Sequence, residues 1–153
     1  MATLEIGAAA PKFSLKDQSG RTVSLENYRG KKLLLYFYPR ADTPGCTRQA
    51  CSIRDSGAQL RAKGVAALGI SPDDPGDQEK FDKKYGLGFP LLSDPDHRVA
   101  EAYGAWGEKV SQGKTVIGII RSSFVIDEKG KIAAAWYKVS PEDTVPNALA
   151  AVS

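Results

Sequence analysis

The chain has 153 residues, 42% hydrophobic and 25% charged, a composition typical of soluble globular proteins. That length predicts one domain, residues 1–153, able to bury a core without disulfide staples or a structural metal. No run approaches the roughly 20 apolar residues that span a bilayer, and the net charge of +3 is scattered without a long basic block, so neither membrane nor nucleic acid is an expected partner.

Met1-Ala2-Thr3-Leu4-Glu5-Ile6-Gly7 lacks the basic start and sustained apolar segment of a secretory signal, which makes the cytoplasm the expected location. Phe13–Lys16 and Thr22–Leu25 alternate around a glycine-containing turn and predict an N-terminal hairpin. Leu33–Tyr38 is apolar on both faces, as a central covered strand requires, and Pro39, which has no N–H to give a ladder, ends it. From Thr47 to Lys63 apolar positions recur at helical spacing, with Gly57 as a weak point and Gly64 as terminator. Val65–Ile70 predicts a second buried strand, Asp77–Tyr85 a helix, Phe89–Leu92 a short strand and His97–Tyr103 a helix. Gly104 to Gly118, glycine-containing and poor in apolar residues before Val116, reads as a loop or an excursion from the sheet. Ser123–Ile126 and Lys131–Tyr137 predict a further hairpin, and Pro141–Val152 a closing helix. This order implies an α/β fold with a mixed central sheet flanked by helices.

Both cysteines fall between Pro39 and Cys51, directly after the most apolar run. With two cysteines and one histidine, His97, a four-ligand zinc site would need distant carboxylates. Thiols in a reducing compartment serve redox chemistry more often than structure. Cys46 sits at the strand-to-helix junction, where exposed amide donors stabilise a thiolate, and is the candidate nucleophile.

The pattern Pro39-x3-Thr43-x2-Cys46 at the end of an apolar strand resembles the active-site motif of the peroxiredoxins. Further features, Tyr36-Phe37-Tyr38-Pro39, Thr43-Pro44-Gly45-Cys46-Thr47, Cys51, Trp106-Gly107-Glu108-Lys109 and Arg121 to Asp127, resemble the bacterioferritin-comigratory-protein, or PrxQ, branch over essentially the whole chain. The resemblance implies a thioredoxin-like fold and a monomeric thiol peroxidase that reduces hydrogen peroxide and organic hydroperoxides, with no bound cofactor or metal. By matching position, Cys46 is the peroxidatic cysteine, Pro39, Thr43 and Arg121 complete its pocket, and Cys51 is the resolving cysteine. An intramolecular Cys46–Cys51 disulfide, recycled by thioredoxin or a similar dithiol, is implied with them. Gln49 departs from the pattern, since many relatives carry an acidic residue there.

An ordinary thiol with a pKa near 8.5 is only about 3% ionised at pH 7, so complete ionisation raises its rate roughly 30-fold at most, about 2 kcal/mol. The larger share must come from donors aimed at the peroxide oxygen that gains charge. Arg121 offers a fork of donors, Thr43 a hydroxyl and Cys46 its own N–H, while the rigid ring of Pro39 limits water. In an intact helix, residues five apart have Cα atoms ~8.6 Å apart, against about 4.4–6.8 Å in a disulfide. The helix must therefore unwind locally before the two sulfurs join.

Plainer roles stand beside these. Thr43 suits a helix N-cap, Arg121 a surface charge opening a strand, His97 an exposed first-turn residue, and Tyr36 and Trp106 core packing. Asp73-Asp74 and Lys83-Lys84 read as solvated face. Two other functions share the ingredients: a redox sensor whose cysteines switch a surface, and a thioredoxin-type thiol–disulfide oxidoreductase, disfavoured because it needs Cys-x-x-Cys where this chain has Cys-x4-Cys.

Overall fold

The computed structural model describes residues 3–152; Met1 and Ala2, which open the N-terminal reading, and Ser153 lie outside the described residues. In chain order the elements are β1 (Ser14–Lys16), β2 (Thr22–Ser24), β3 (Lys32–Phe37), α1 (Pro44–Asp55), α2 (Gly57–Ala62), β4 (Val65–Ser71) and α3 (Pro75–Tyr85). They continue with β5 (Leu91–Ser93), α4 (Arg98–Ala102), β6 (Trp106–Ser111), β7 (Lys114–Ile119), β8 (Ser122–Ile126), β9 (Ile132–Tyr137) and α5 (Thr144–Ala151). Seven strands form one sheet in the order β2-β1-β5-β4-β3-β8-β9. β3, β4 and β5 run parallel, and the remaining pairs are antiparallel. This is the mixed, helix-flanked thioredoxin-like sheet expected from the sequence, with the N-terminal hairpin as β1 and β2.

β3 is central because it can be buried on both sides. Successive side chains of a strand point to opposite faces, so Leu33, Leu35 and Phe37 enter a cluster with Leu68, Ile70, Leu92, Tyr103 and Phe124. Leu34 and Tyr36, followed by Tyr38, enter another with Cys46, Ala50, Ile53, Phe81, Val125 and Val145. Tyr38 gives the last bond of the ladder, its N–H donating to the Ile70 carbonyl at 3.0 Å. Pro39 cannot continue it.

Two expectations need correction. The single helix expected over Thr47–Lys63 is two helices, α1 and α2, meeting at Ser56, whose ψ of 8° caps the first before Gly57 begins the second. α1 also starts earlier, because Pro44 fits the first helical position, where its missing N–H costs nothing. The stretch read as a loop or an excursion, Gly104 to Gly118, is not a loop but an excursion, a hairpin of β6 and β7 outside the seven-stranded sheet, paired from Trp106↔Ile119 to Ser111↔Lys114. Its two-residue turn is Gln112-Gly113, with φ of 53° and 77°, the double positive φ that tight hairpins require. Gly107 and Gly118 stand directly opposite each other in this ladder and dilute the apolar alternation that marks a strand. Among the described residues no helix is long and apolar enough to cross a membrane.

Candidate active site

The loop from Pro39 to Thr43 carries the chain from β3 into α1 and is strapped from behind. The Ala41 N–H donates to Asp73 Oδ2 at 2.7 Å, and that carboxylate also accepts from Ser71 Oγ at 2.7 Å. Beneath them the Tyr38 hydroxyl donates to Gln78 Oε1, while Gln78 Nε2 donates to Ser71 Oγ at 2.9 Å and to the Leu92 carbonyl at 3.0 Å. Asp42 adopts φ of 61°, a left-handed conformation that aspartate tolerates better than most residues. Its carboxylate accepts from Lys84 Nζ at 2.8 Å and Tyr85 Oη at 2.6 Å, and these bonds hold it below its ordinary pKa. Asp73 is thus a loop anchor rather than the solvated face expected of it, while Lys84 stays on the exposed face as expected and holds Asp42 from there. Asp74 caps α3 by accepting from the Asp77 N–H at 2.8 Å.

Thr43 occupies the N-cap of α1 with extended backbone, and its hydroxyl donates to the Arg40 carbonyl at 2.8 Å. With the proton committed there, the oxygen offers lone pairs to the pocket, not the donor expected from the sequence. Cys46 is the third residue of α1, where backbone N–H groups have no partner within the helix, and it is 1% exposed. Arg121, between β7 and β8, brings its guanidinium to the same sulfur. Nη2 stands 3.5 Å from Cys46 Sγ, and Nη1 donates to Gln49 Oε1 at 2.7 Å. Helix terminus and guanidinium both place positive charge beside the sulfur.

Position 45 is glycine for a spatial reason. A Cβ there would lie 3.1 Å from Arg121 Nη2 and 3.5 Å from the Pro141 ring. Gln49, fully buried, also reaches α5, its Nε2 donating to Thr144 Oγ1 at 2.8 Å. Thr144 and Ser140 were not legible as site residues. They lie outside the cysteine motif, and nothing in their own spacing marks them.

A groove of about 630 Å³ opens beside Arg121, walled by Pro39, Lys109, Val110, Ile119, Ile120 and Val139. Lys109 lies inside it, its ammonium donating to the Ile119 carbonyl at 2.7 Å. Partial burial, and then the neighbouring Arg121 charge, push its pKa down. Cys51 lies further along α1, half-buried against the cluster that holds Tyr36 and Cys46, and both thiols are free. The continuous helix between them keeps their Cα atoms ~8.6 Å apart, too far for a bond.

Tyr36 packs as core: its ring lies so close to Gly69 that a Cβ there would meet it at 2.9 Å. His97 stacks flat on Trp106 at 3.7 Å and approaches Glu101 at 3.6 Å, which ties α4 to the base of β6.

Comparison with known proteins identifies the family. Residues 6–135 match the AhpC/TSA family. Peroxiredoxin Bcp of Escherichia coli K12 is 53% identical over 132 residues, covering 86% of this chain and 85% of its own. Two solved structures superpose at a TM-score of 0.87. Peroxidoxin BcpB of Mycobacterium tuberculosis is 32% identical, with 97% of this chain and 96% of that one covered. The bacterioferritin comigratory protein of Xanthomonas campestris, described for its alkyl peroxide reduction activity, is 34% identical, with 99% and 97% covered. The chain therefore belongs to the AhpC/TSA family, in its Bcp or PrxQ branch of peroxiredoxins.

Proposed function

We propose that this chain is a two-cysteine thiol peroxidase that reduces hydrogen peroxide and alkyl hydroperoxides and is recycled by thioredoxin or a similar dithiol. The observation that carries the reading is the Arg121 guanidinium, held by Gln49 on one nitrogen and presented to Cys46 Sγ with the other. The Cys46 thiolate attacks the near oxygen of the hydroperoxide. The S–O bond forms as the O–O bond breaks, leaving a sulfenic acid and an alkoxide or hydroxide that takes up a proton. Charge grows on the leaving oxygen, and a preplaced Arg121 N–H meets it. The lone pairs of Thr43 accept a hydrogen bond from the hydroperoxide O–H and so orient the substrate. Apolar walls from Val110, Ile119 and Val139 suit an alkyl chain, in keeping with the activity named for the Xanthomonas relative.

Cys51 then attacks the sulfenic sulfur, expelling water and forming the disulfide, which an external dithiol reduces. Because α1 is intact in the dithiol form, this step waits on local unwinding. A coupled assay with thioredoxin, thioredoxin reductase and NADPH tests the whole cycle. Peroxide-dependent NADPH consumption is expected. A disulfide reductase would instead consume NADPH only when a disulfide substrate replaces the peroxide, and a sensor would stop after one equivalent.

A further inference from the structure

The buried hydrogen bonds behind Arg121 run in one direction, and α5 sets it. Thr144 opens α5 fully buried, with Oγ1 3.1 Å from the Ser140 carbonyl. A carbonyl oxygen only accepts, so the one hydroxyl proton is committed to it and the lone pairs of Oγ1 turn toward Gln49. Only the NH2 end of the Gln49 amide can meet them, which it does at 2.8 Å. The other end, Oε1, is thereby aimed at Arg121 and accepts from Nη1 at 2.7 Å, leaving Nη2 for Cys46 Sγ at 3.5 Å. The opposite terminus makes the same demand, because a guanidinium carries donors alone and can hold only the amide oxygen. Gln49 and Thr144 are each 0% exposed, so bulk water does not compete for either end.

We propose that Thr144 is a positioning residue for the peroxide reaction: it fixes the sense of the Gln49 amide and, through it, the pose of the Arg121 guanidinium at Cys46. The inference rests on the peroxidase reading and extends it to a residue outside the cysteine motif. A carboxylate at position 49 would hold Arg121 whichever way it turned, since both its oxygens accept. A glutamine serves Arg121 in one sense alone, and needs a neighbour on its far side that holds its NH2 end away from the guanidinium. Thr144, its own proton already given to Ser140, is that neighbour.

The test is stopped-flow oxidation of Cys46 by hydrogen peroxide, followed beside alkylation of the same thiol by iodoacetamide, a reaction with no peroxide oxygen to stabilise. Thr144→Val keeps the shape and removes the acceptor. It is expected to slow oxidation by up to about 10-fold, the upper scale of one neutral hydrogen bond, and to slow alkylation far less. Thr144→Ser restores the hydroxyl and should stay within about 2-fold of wild type. In the Gln49→Glu background, adding Thr144→Val should cost nothing further. A wild-type thiol inert to peroxide would overturn the peroxidase reading and this proposal with it. A reactive wild type in which Thr144→Val costs nothing, or costs as much beside Gln49→Glu as alone, overturns the positioning role only.

Discussion

Arg121 faces Cys46 through Nη2 at 3.5 Å while Nη1 of the same guanidinium is held by Gln49 Oε1 at 2.7 Å. One nitrogen anchors and the other serves the sulfur, a division of labour that needs a planar fork. Lysine offers a single charged point on a flexible stem and cannot do both. Arg121→Lys is therefore expected to slow oxidation of Cys46 by hydrogen peroxide about 100-fold, the scale of losing a preorganised donor. Stopped-flow measurement of that rate checks it, and near-full activity would show that the fork is not needed.

Gly45 offers a way to separate activity from stability. Alanine favours a helix more than glycine does, so Gly45→Ala should hold or raise the melting temperature. Yet its Cβ would sit 3.1 Å from Arg121 Nη2, and the guanidinium tip must shift by a few tenths of an ångström. The expected outcome is peroxide oxidation slowed by about 10-fold in a protein no less stable than wild type, read by calorimetry and stopped flow together.

The proposed recycling needs α1 to open. Gln49 lies between Cys46 and Cys51, so unwinding that lets the sulfurs meet also carries the Gln49 amide away from Arg121 and Thr144. Amides from Thr47 to Arg54 are expected to exchange faster in the disulfide form than in the dithiol form. Cys51→Ser should keep the first peroxide turnover, lose steady-state turnover with thioredoxin, and accumulate sulfenic or sulfinic Cys46.

The loop ahead of Cys46 has its own pH dependence. Hydrogen bonds from Lys84 and then Tyr85 hold the Asp42 carboxyl below its ordinary value of 3.8. A depressed carboxyl contributes stability that is full above 3.8 and fades as pH falls through the folded-state value. Asp42→Asn keeps a residue that tolerates the left-handed backbone while removing the charge. The variant should melt below wild type at about pH 6, with the gap closing below about pH 4. A gap that is constant with pH would mean the charge plays no part.

Much of this fold is written in its local chemistry. Leu33–Tyr38 had to be a central strand because every residue in it is apolar, and Pro39 had to end it. The cysteine motif likewise named the residues that cluster at the head of α1. What escaped was set by tertiary context. The hairpin of β6 and β7 carries exposed Val110 and Ile117 beside two paired glycines, so no face reads as buried. Asp73 looks like an ordinary surface charge until the chain folds and a backbone N–H at Ala41 meets it. Thr144 escaped for the same reason. Its role depends on Gln49, 95 residues earlier, and on a hydroxyl proton already committed to Ser140.

The central claim is that Cys46 is the thiol that meets the peroxide. The direct measurement mixes the reduced protein with one equivalent of hydrogen peroxide at neutral pH, traps sulfenic acid with dimedone, and locates it by mass spectrometry in the Cys51→Ser variant and, reciprocally, in Cys46→Ser. The expected result is rapid and complete trapping on Cys46 and none above background on Cys51. Equal labelling of the two, or oxidation of Cys46 no faster than that of free cysteine, would contradict the account.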